Sequence, residues 1–266
     1  MRKDRRQTKL MFFQSGTLES QKHFFTSGRD VGVPFIVPVP FFLIDHPKGR
    51  VLFDTGNAAE VAYDAHRHWG IATKAYLPHM KPEEFVVPQL MSIGIAPEEI
   101  DIVVLSHLHL DHAGGIGCFP NARYIVQKIE LEWAYHPDDN QKRAYIRQDF
   151  DKPVDWWPLN GWDDDRFDLF GDEQIQIWFT PGHTPGHQSL FIRLDDMGEI
   201  LLAADSCYTD EMLDQEIVPG LVWDREASLQ TMRRLKMARD QQNIKVIAGH
   251  DPEAWSNFNL SPYTYT

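Results

Sequence analysis

Between Ser106 and Gly115 the chain reads SHLHLDHAGG, which packs His107, His109, Asp111 and His112 into six positions directly after the apolar run IDIVVL. Imidazole nitrogen and carboxylate oxygen are donors that zinc, iron, cobalt and manganese all accept. If IDIVVL is a buried strand, residues i and i+2 of the extended segment after it share a face, so His107 and His109 can address one ion. A turn ahead of the glycine pair then swings Asp111 and His112 toward a neighbouring ion. Two ions need more ligands than four residues provide, and each further donor should stand at a strand end. Three places qualify: FTPGHTPGHQS with His183 and His187, LLAADSCYTD with Asp205, and VIAGHDPEAW with His250. Burying three imidazoles and a carboxylate without a cation would leave several polar groups in need of partners. The pair His66 and His68, in AHRHWG, lacks such company and reads as surface or loop.

The elements that must position these groups are mostly short apolar runs. Segments 35–45, 50–56, 101–107, 122–127, 175–182, 189–195, 199–205 and 244–250 are rich in branched and aromatic residues and predict strands. Several end in Asp, Gly or His, so polar chemistry collects where loops leave the sheet. A helix is expected over 225–241, where Leu229, Met232 and Leu235 recur at helical spacing behind Asp224 as a cap. Others are expected at 88–93, 97–100 and 128–135. The acidic stretch 160–173 reads as a solvated loop without the spacing of a calcium loop. Strands with helices at intervals, and no repeat or linker, point to two sheets packed face to face with helices outside, in one domain over residues 1–266.

Composition narrows the partners. The chain has 266 residues with 39 acidic against 26 basic, a net charge of −13, which sets an unfavourable field against nucleic acid. Its two cysteines, Cys118 and Cys207, are too few for a disulfide framework and fit a reducing compartment. The N-terminus MRKDRRQTKLMFFQSG is basic but holds only a four-residue apolar stretch, short of a signal-peptide core or a spanning helix. The expectation is a cytoplasmic protein with no membrane partner.

With its ordered His, His, Asp, His cluster, then His183, Asp205 and His250 at successive strand ends, the chain resembles the metallo-β-lactamase superfamily, from VLFDTG near residue 54 to IAGHD near 250. The resemblance implies an αββα sandwich of two mixed β-sheets flanked by helices, with a two-metal site along one edge. Carried over residue by residue, it gives His107, His109 and His183 to the first metal and Asp111, His112 and His250 to the second, with Asp205 bridging. His187 is implied to support the site without ligating. Within the superfamily the chain is most similar to N-acyl-homoserine lactone lactonases, through SHLHLDHAGG, TPGHTPGHQSL and Tyr208, three positions after Asp205 as in those enzymes.

The implied activity is opening of the lactone ring of N-acyl-L-homoserine lactones, which quenches bacterial signalling. Two divalent ions, two carboxylates and a bridging hydroxide sum to about +1, suited to one developing negative charge. The hydroxide would attack the carbonyl, Tyr208 would donate to the carbonyl oxygen, and Asp111 would carry a proton to the leaving oxygen. Zinc is the expected ion, although the same ligands accept iron, cobalt or manganese. Large apolar residues of MFFQSG (Met11, Phe12, Phe13) and of 61–80 (Tyr63, Trp69, Tyr76) either cover the acyl tail or pack into core or a homodimer face. The alternatives are another dinuclear esterase or thioesterase, such as a hydroxyacylglutathione hydrolase, and a non-catalytic metal-stabilised protein. SCYTDEMLDQE, acidic where a glutathione binder needs cations, opposes the thioesterase. Asp205 in place of a cysteine opposes a β-lactamase proper.

Overall fold

A computed structural model describes residues 7–27 and 29–266. The basic run at residues 1–6, part of the segment read above for targeting signals, lies outside the described residues. Strands β1 (Lys9–Gln21), β2 (Pro34–His46), β3 (Gly49–Phe53), β4 (Leu77–His79), β5 (Ile102–Val104), β6 (Arg123–Gln127) and β7 (Asp155–Leu159) form one mixed sheet in the order β4-β1-β2-β3-β5-β6-β7. A second sheet, β12-β11-β10-β9-β8, contains β8 (Arg166–Asp168), β9 (Ile175–Phe179), β10 (Gln188–Leu194), β11 (Gly198–Ala204) and β12 (Lys245–Ala248). The helices are α1 (Val61–Trp69), α2 (Val86–Ser92), α3 (Lys128–Tyr135), α4 (Arg147–Phe150), α5 (Asp210–Gln215), α6 (Arg225–Gln242) and α7 (Pro252–Trp255).

Alternation of side chains along each strand builds three apolar layers. Phe12, Phe42, Phe53 and Val104 of the first sheet meet Ile177, Leu190, Ile192 and Leu202 of the second, filling the space between the sheets. Their sequence neighbours Phe13, Phe41, Leu43, Leu52 and Val103 face the other way, onto Val86 and Leu90 of α2 and Ala134 of α3. On the far side, Phe191, Leu201 and Ala203 pack against Met232, Leu235 and Ala238 of α6. Both faces of the central strands are therefore buried, which explains their nearly unbroken apolar runs.

Most expected elements are present, several of the strands shorter than expected. Asp224 caps α6 by accepting from Ala227 N at 2.7 Å, and 97–100 is a 3₁₀ turn, Pro97–Glu99. Phe12 and Phe13 belong to the long strand β1 and are core residues, the second of the two alternatives given for them. One reading needs correction. The acidic stretch 160–173 is not wholly loop: it contains β8, after which the Asp168 carboxylate turns the chain by accepting from Gly171 N (2.9 Å) and Glu173 N (2.8 Å). Among the described residues, no helix is long and apolar enough to cross a membrane.

What positions the site is strand direction. β9 and β11 both run antiparallel to β10, and β12 runs parallel to β11, so β9, β11 and β12 all end at one edge. The loops leaving those ends, together with the loop after β5, carry His183, Asp205, His250 and the 107–112 cluster.

Candidate metal centre

The chain leaves β5 at Leu105 and turns back at His109, whose carbonyl accepts from the backbone N–H of both His112 (3.1 Å) and Ala113 (3.1 Å). That turn separates the ligand atoms into two groups. His107, His109, His183 and Asp205 form one and Asp111, His112 and His250 the other, with the donor atoms of each group within 4.8 Å of one another. All seven side chains are buried. Gly114 is required for the tight approach of this loop to residues 56–58, because a Cβ there would lie 2.1 Å from Ala58 N and 2.2 Å from Asn57 C.

Asp205 stands between the groups. Its Oδ1 is 3.1 Å from His250 Nε2 and 3.2 Å from His112 Nε2, while its Oδ2 is 3.3 Å from His183 Nε2 and 3.7 Å from His107 Nε2. One carboxylate thus faces both groups, one oxygen toward each. Asp111 approaches His112 and His250 at 3.6 Å each.

The histidines are held by their outward nitrogens. His112 Nδ1 meets Asp54 Oδ2 at 2.8 Å, His183 Nδ1 meets the carbonyl of Leu221 at 2.9 Å, and His250 Nδ1 meets the carbonyl of Pro38 at 2.8 Å. An acceptor at Nδ1 fixes the proton there and leaves the Nε2 lone pair aimed inward, the tautomer a metal ligand needs. Asp54 also accepts from Ser106 N (2.7 Å) and Ser106 Oγ (2.8 Å), tying the start of the cluster to the end of β3.

Electrostatics agree with a site built for cations. Burial, reinforced by neighbouring imidazoles, pushes His107 and His109 well below the ordinary histidine range and keeps them neutral. Burial acts the same way on His112 and His250, but Asp205 and Asp111 outweigh it and raise both. Burial alone would raise Asp205, yet His112 and His250 pull it well below the carboxylate range. The residues fit two divalent ions by a direct criterion: the Nε2 atoms of His107 and His112 are buried without a hydrogen-bond partner, and His109 turns its Nδ1 to within 2.9 Å of His183 Nε2. Orphaned nitrogens are costly in a protein interior, and a cation in each group would satisfy them.

His187, expected to support rather than ligate, lies outside both groups. Its Nε2 accepts from the backbone N–H of Asp205 at 3.1 Å, and its Nδ1 is 2.9 Å from Thr180 Oγ1. His66 and His68 also lie outside them, bonded to Thr73 (2.9 Å) and Asp149 (2.8 Å). Tyr208 is buried at the rim, its hydroxyl 3.3 Å from His183 Nδ1. The 61–80 insertion divides: Tyr76 lines the space over the ligands together with Phe25 and Leu221, Trp69 is core, and Tyr63 is 77% exposed. That space, about 30 Å³, holds a water or two. It adjoins a trough of about 460 Å³ that shares Tyr76, Ala144 and Leu221 with it.

A profile described as the metallo-beta-lactamase superfamily matches residues 36–250, from β2 to the last histidine of the second group. The chain belongs to that superfamily. This metallo-β-lactamase-fold protein is 42% identical over 258 residues to "N-acyl homoserine lactonase AttM" of Rhizobium radiobacter, covering 97% of this chain and 98% of the relative. It is 31% identical over 255 residues to an N-acyl homoserine lactonase of Bacillus thuringiensis, covering 96% of this chain and 97% of that one. Among solved structures it is similar to an N-acyl homoserine lactone hydrolase with the product N-hexanoyl-L-homoserine at its catalytic metal centre. That likeness has a TM-score of 0.87 at 29% identity and covers 97% of this chain and 99% of the other.

Asp54 and Phe25 were not anticipated from sequence as parts of this superfamily site. Asp54 had a visible signal, an acidic residue at the end of the apolar run VLFD; Phe25 had none.

Proposed function

We propose that this chain is a metal-dependent hydrolase that opens the lactone ring of N-acyl-L-homoserine lactones, working as a single domain in the cytoplasm, where its two free thiols suit a reducing environment. The observation that carries the reading is Asp205, whose two oxygens face two groups of neutral or carboxylate-paired histidines beside the Tyr208 hydroxyl. The lactonase relatives add to it. His107, His109 and His183 would hold one ion and Asp111, His112 and His250 the other, with Asp205 placed to serve both. Zinc suits this nitrogen and oxygen donor set. When bound, the ions supply a water nucleophile at neutral pH and polarise the carbonyl.

The remaining steps belong to side chains. Tyr208 donates its hydroxyl hydrogen to the lactone carbonyl oxygen as negative charge builds there. Asp111, at the edge of the second group, takes a proton from the attacking water and passes it to the ring oxygen when the carbonyl carbon–oxygen bond breaks. Phe25, Tyr76 and Leu221 exclude water above the reacting bond. The acyl tail lies in the adjoining trough along Phe24, Ile71 and Ala72.

A panel of homoserine lactones with graded tails, followed by proton release, tests this. The expected product is the ring-opened acyl homoserine. An apolar trough grades tails gently, since a buried methylene is worth about 0.8 kcal/mol, so kcat/KM should rise by no more than roughly fourfold per added CH₂ until the trough is filled. Absence of ring opening across the panel, with both ions bound, would leave the non-catalytic reading in its place.

A further inference from the structure

Glu130, in the first turn of α3, is fully buried, yet it contributes no atom to either ligand group. Among the described residues no lysine, arginine or histidine pairs with it. Its oxygens are occupied by neutral donors from three other segments. Oε1 accepts from the backbone N–H of Leu108 (3.1 Å) and from the Tyr145 hydroxyl (2.9 Å), and Oε2 accepts from the backbone N–H of Gly186 (3.2 Å).

Those donors are informative because of what they flank. Leu108 lies between His107 and His109. Gly186 lies between His183 and His187, and His187 in turn holds the backbone of Asp205. Tyr145 packs edge-on against the His109 ring, centroids 4.5 Å apart. The contact is close: a Cβ on Gly186 would lie 2.4 Å from Glu130 Cβ, so only glycine allows that loop to reach the carboxylate.

We propose that Glu130 is a positioning residue that clamps the 107–109 loop to the 183–187 loop and so sets the spacing of the three histidines of the first group. The inference rests on the metal-centre reading above, but not on the identity of the substrate. A carboxylate is needed because both of its oxygens accept, whereas a carboxamide of the same shape has one accepting oxygen and must turn its NH₂ toward one of the two loops. Burying that charge is expensive, and three donors aimed from ligand-bearing loops are what offset it.

The test is Glu130→Gln in the zinc-loaded protein, challenged with increasing concentrations of a chelator. One of the two metal equivalents should leave at a chelator concentration on the order of 10–100-fold lower than in the parent, the range found when a group that orients a ligand is lost, while the other leaves as before. In cobalt-loaded protein the visible absorption of one site should change, and lactone kcat should fall with KM nearly constant. These metal readouts need no substrate, so they stand even if the lactonase reading fails. Parent-like metal retention and an unchanged cobalt spectrum in folded Glu130→Gln protein would overturn the clamp. If that variant does not fold, Tyr145→Phe takes its place: it removes one donor, keeps the ring on His109, and should make the same equivalent roughly threefold or more easier to strip. Parent-like retention there would overturn the clamp equally.

Discussion

Asp205→Asn is expected to lose at least one metal equivalent and to lower lactone kcat/KM by more than about 10³-fold. The substitution preserves shape and leaves the backbone N–H of Asp205 on His187 Nε2, so the change is almost purely electrical. Two things go at once. The negative charge that pulls on His112 and His250 disappears, and one oxygen becomes an NH₂ that must face either the His112 and His250 nitrogens or the His183 and His107 nitrogens. A donor then points at nitrogens whose lone pairs should be bound to a cation, and that group loses its grip. Groups that only orient a ligand are worth 10–100-fold, and a shared ligand should exceed that. Elemental analysis beside circular dichroism checks the outcome. A folded variant that keeps both ions and activity within tenfold would mean that Asp205 does not bridge.

Tyr208→Phe should behave differently, with kcat down on the order of 10²-fold, unchanged metal content and little change in KM. The ring packs against Phe25 (centroids 5.1 Å apart) and His250 (5.5 Å), contacts that phenylalanine retains. Only the hydroxyl is lost. His183 Nδ1, 3.3 Å away, already directs its proton to the Leu221 carbonyl at 2.9 Å, so the tyrosine hydrogen is not spent on that histidine. Burial raises the phenol well above its ordinary pKa and keeps that hydrogen in place at neutral pH. A donor of this kind, used only as charge develops on the carbonyl oxygen, shows in kcat. Turnover within twofold of the parent would remove Tyr208 from the reaction.

The contrast between these residues and Glu130 indicates what a sequence can reveal. The two donor groups were legible because metal chemistry dictates both residue type and spacing, and because each candidate stands just past an apolar run whose end is easy to see. α6 was legible for the same local reasons, a capping Asp224 and a repeating apolar face. β1 was not. Its thirteen residues include only one run of four consecutive apolar ones, and a register shift between Gln14 and Thr17 breaks the alternation that would mark a strand. Tyr76 was one of six large apolar residues that could have covered the site, and only packing separates it from Trp69 in the core and Tyr63 at the surface. Glu130 sits where a helix favours an acidic first turn for its dipole, so nothing local distinguishes a clamp from a cap. Its role depends on donors 15 to 56 residues away in the chain.

The most direct test of the central claim is zinc titration of chelator-stripped protein, with bound metal and N-acyl-homoserine lactone opening measured on the same samples. The paired groups predict two equivalents bound per chain, negligible ring opening below the first, and activity that climbs with the second and stops there. Full lactone opening by protein carrying no transition metal, or activity complete at a single equivalent, would contradict it.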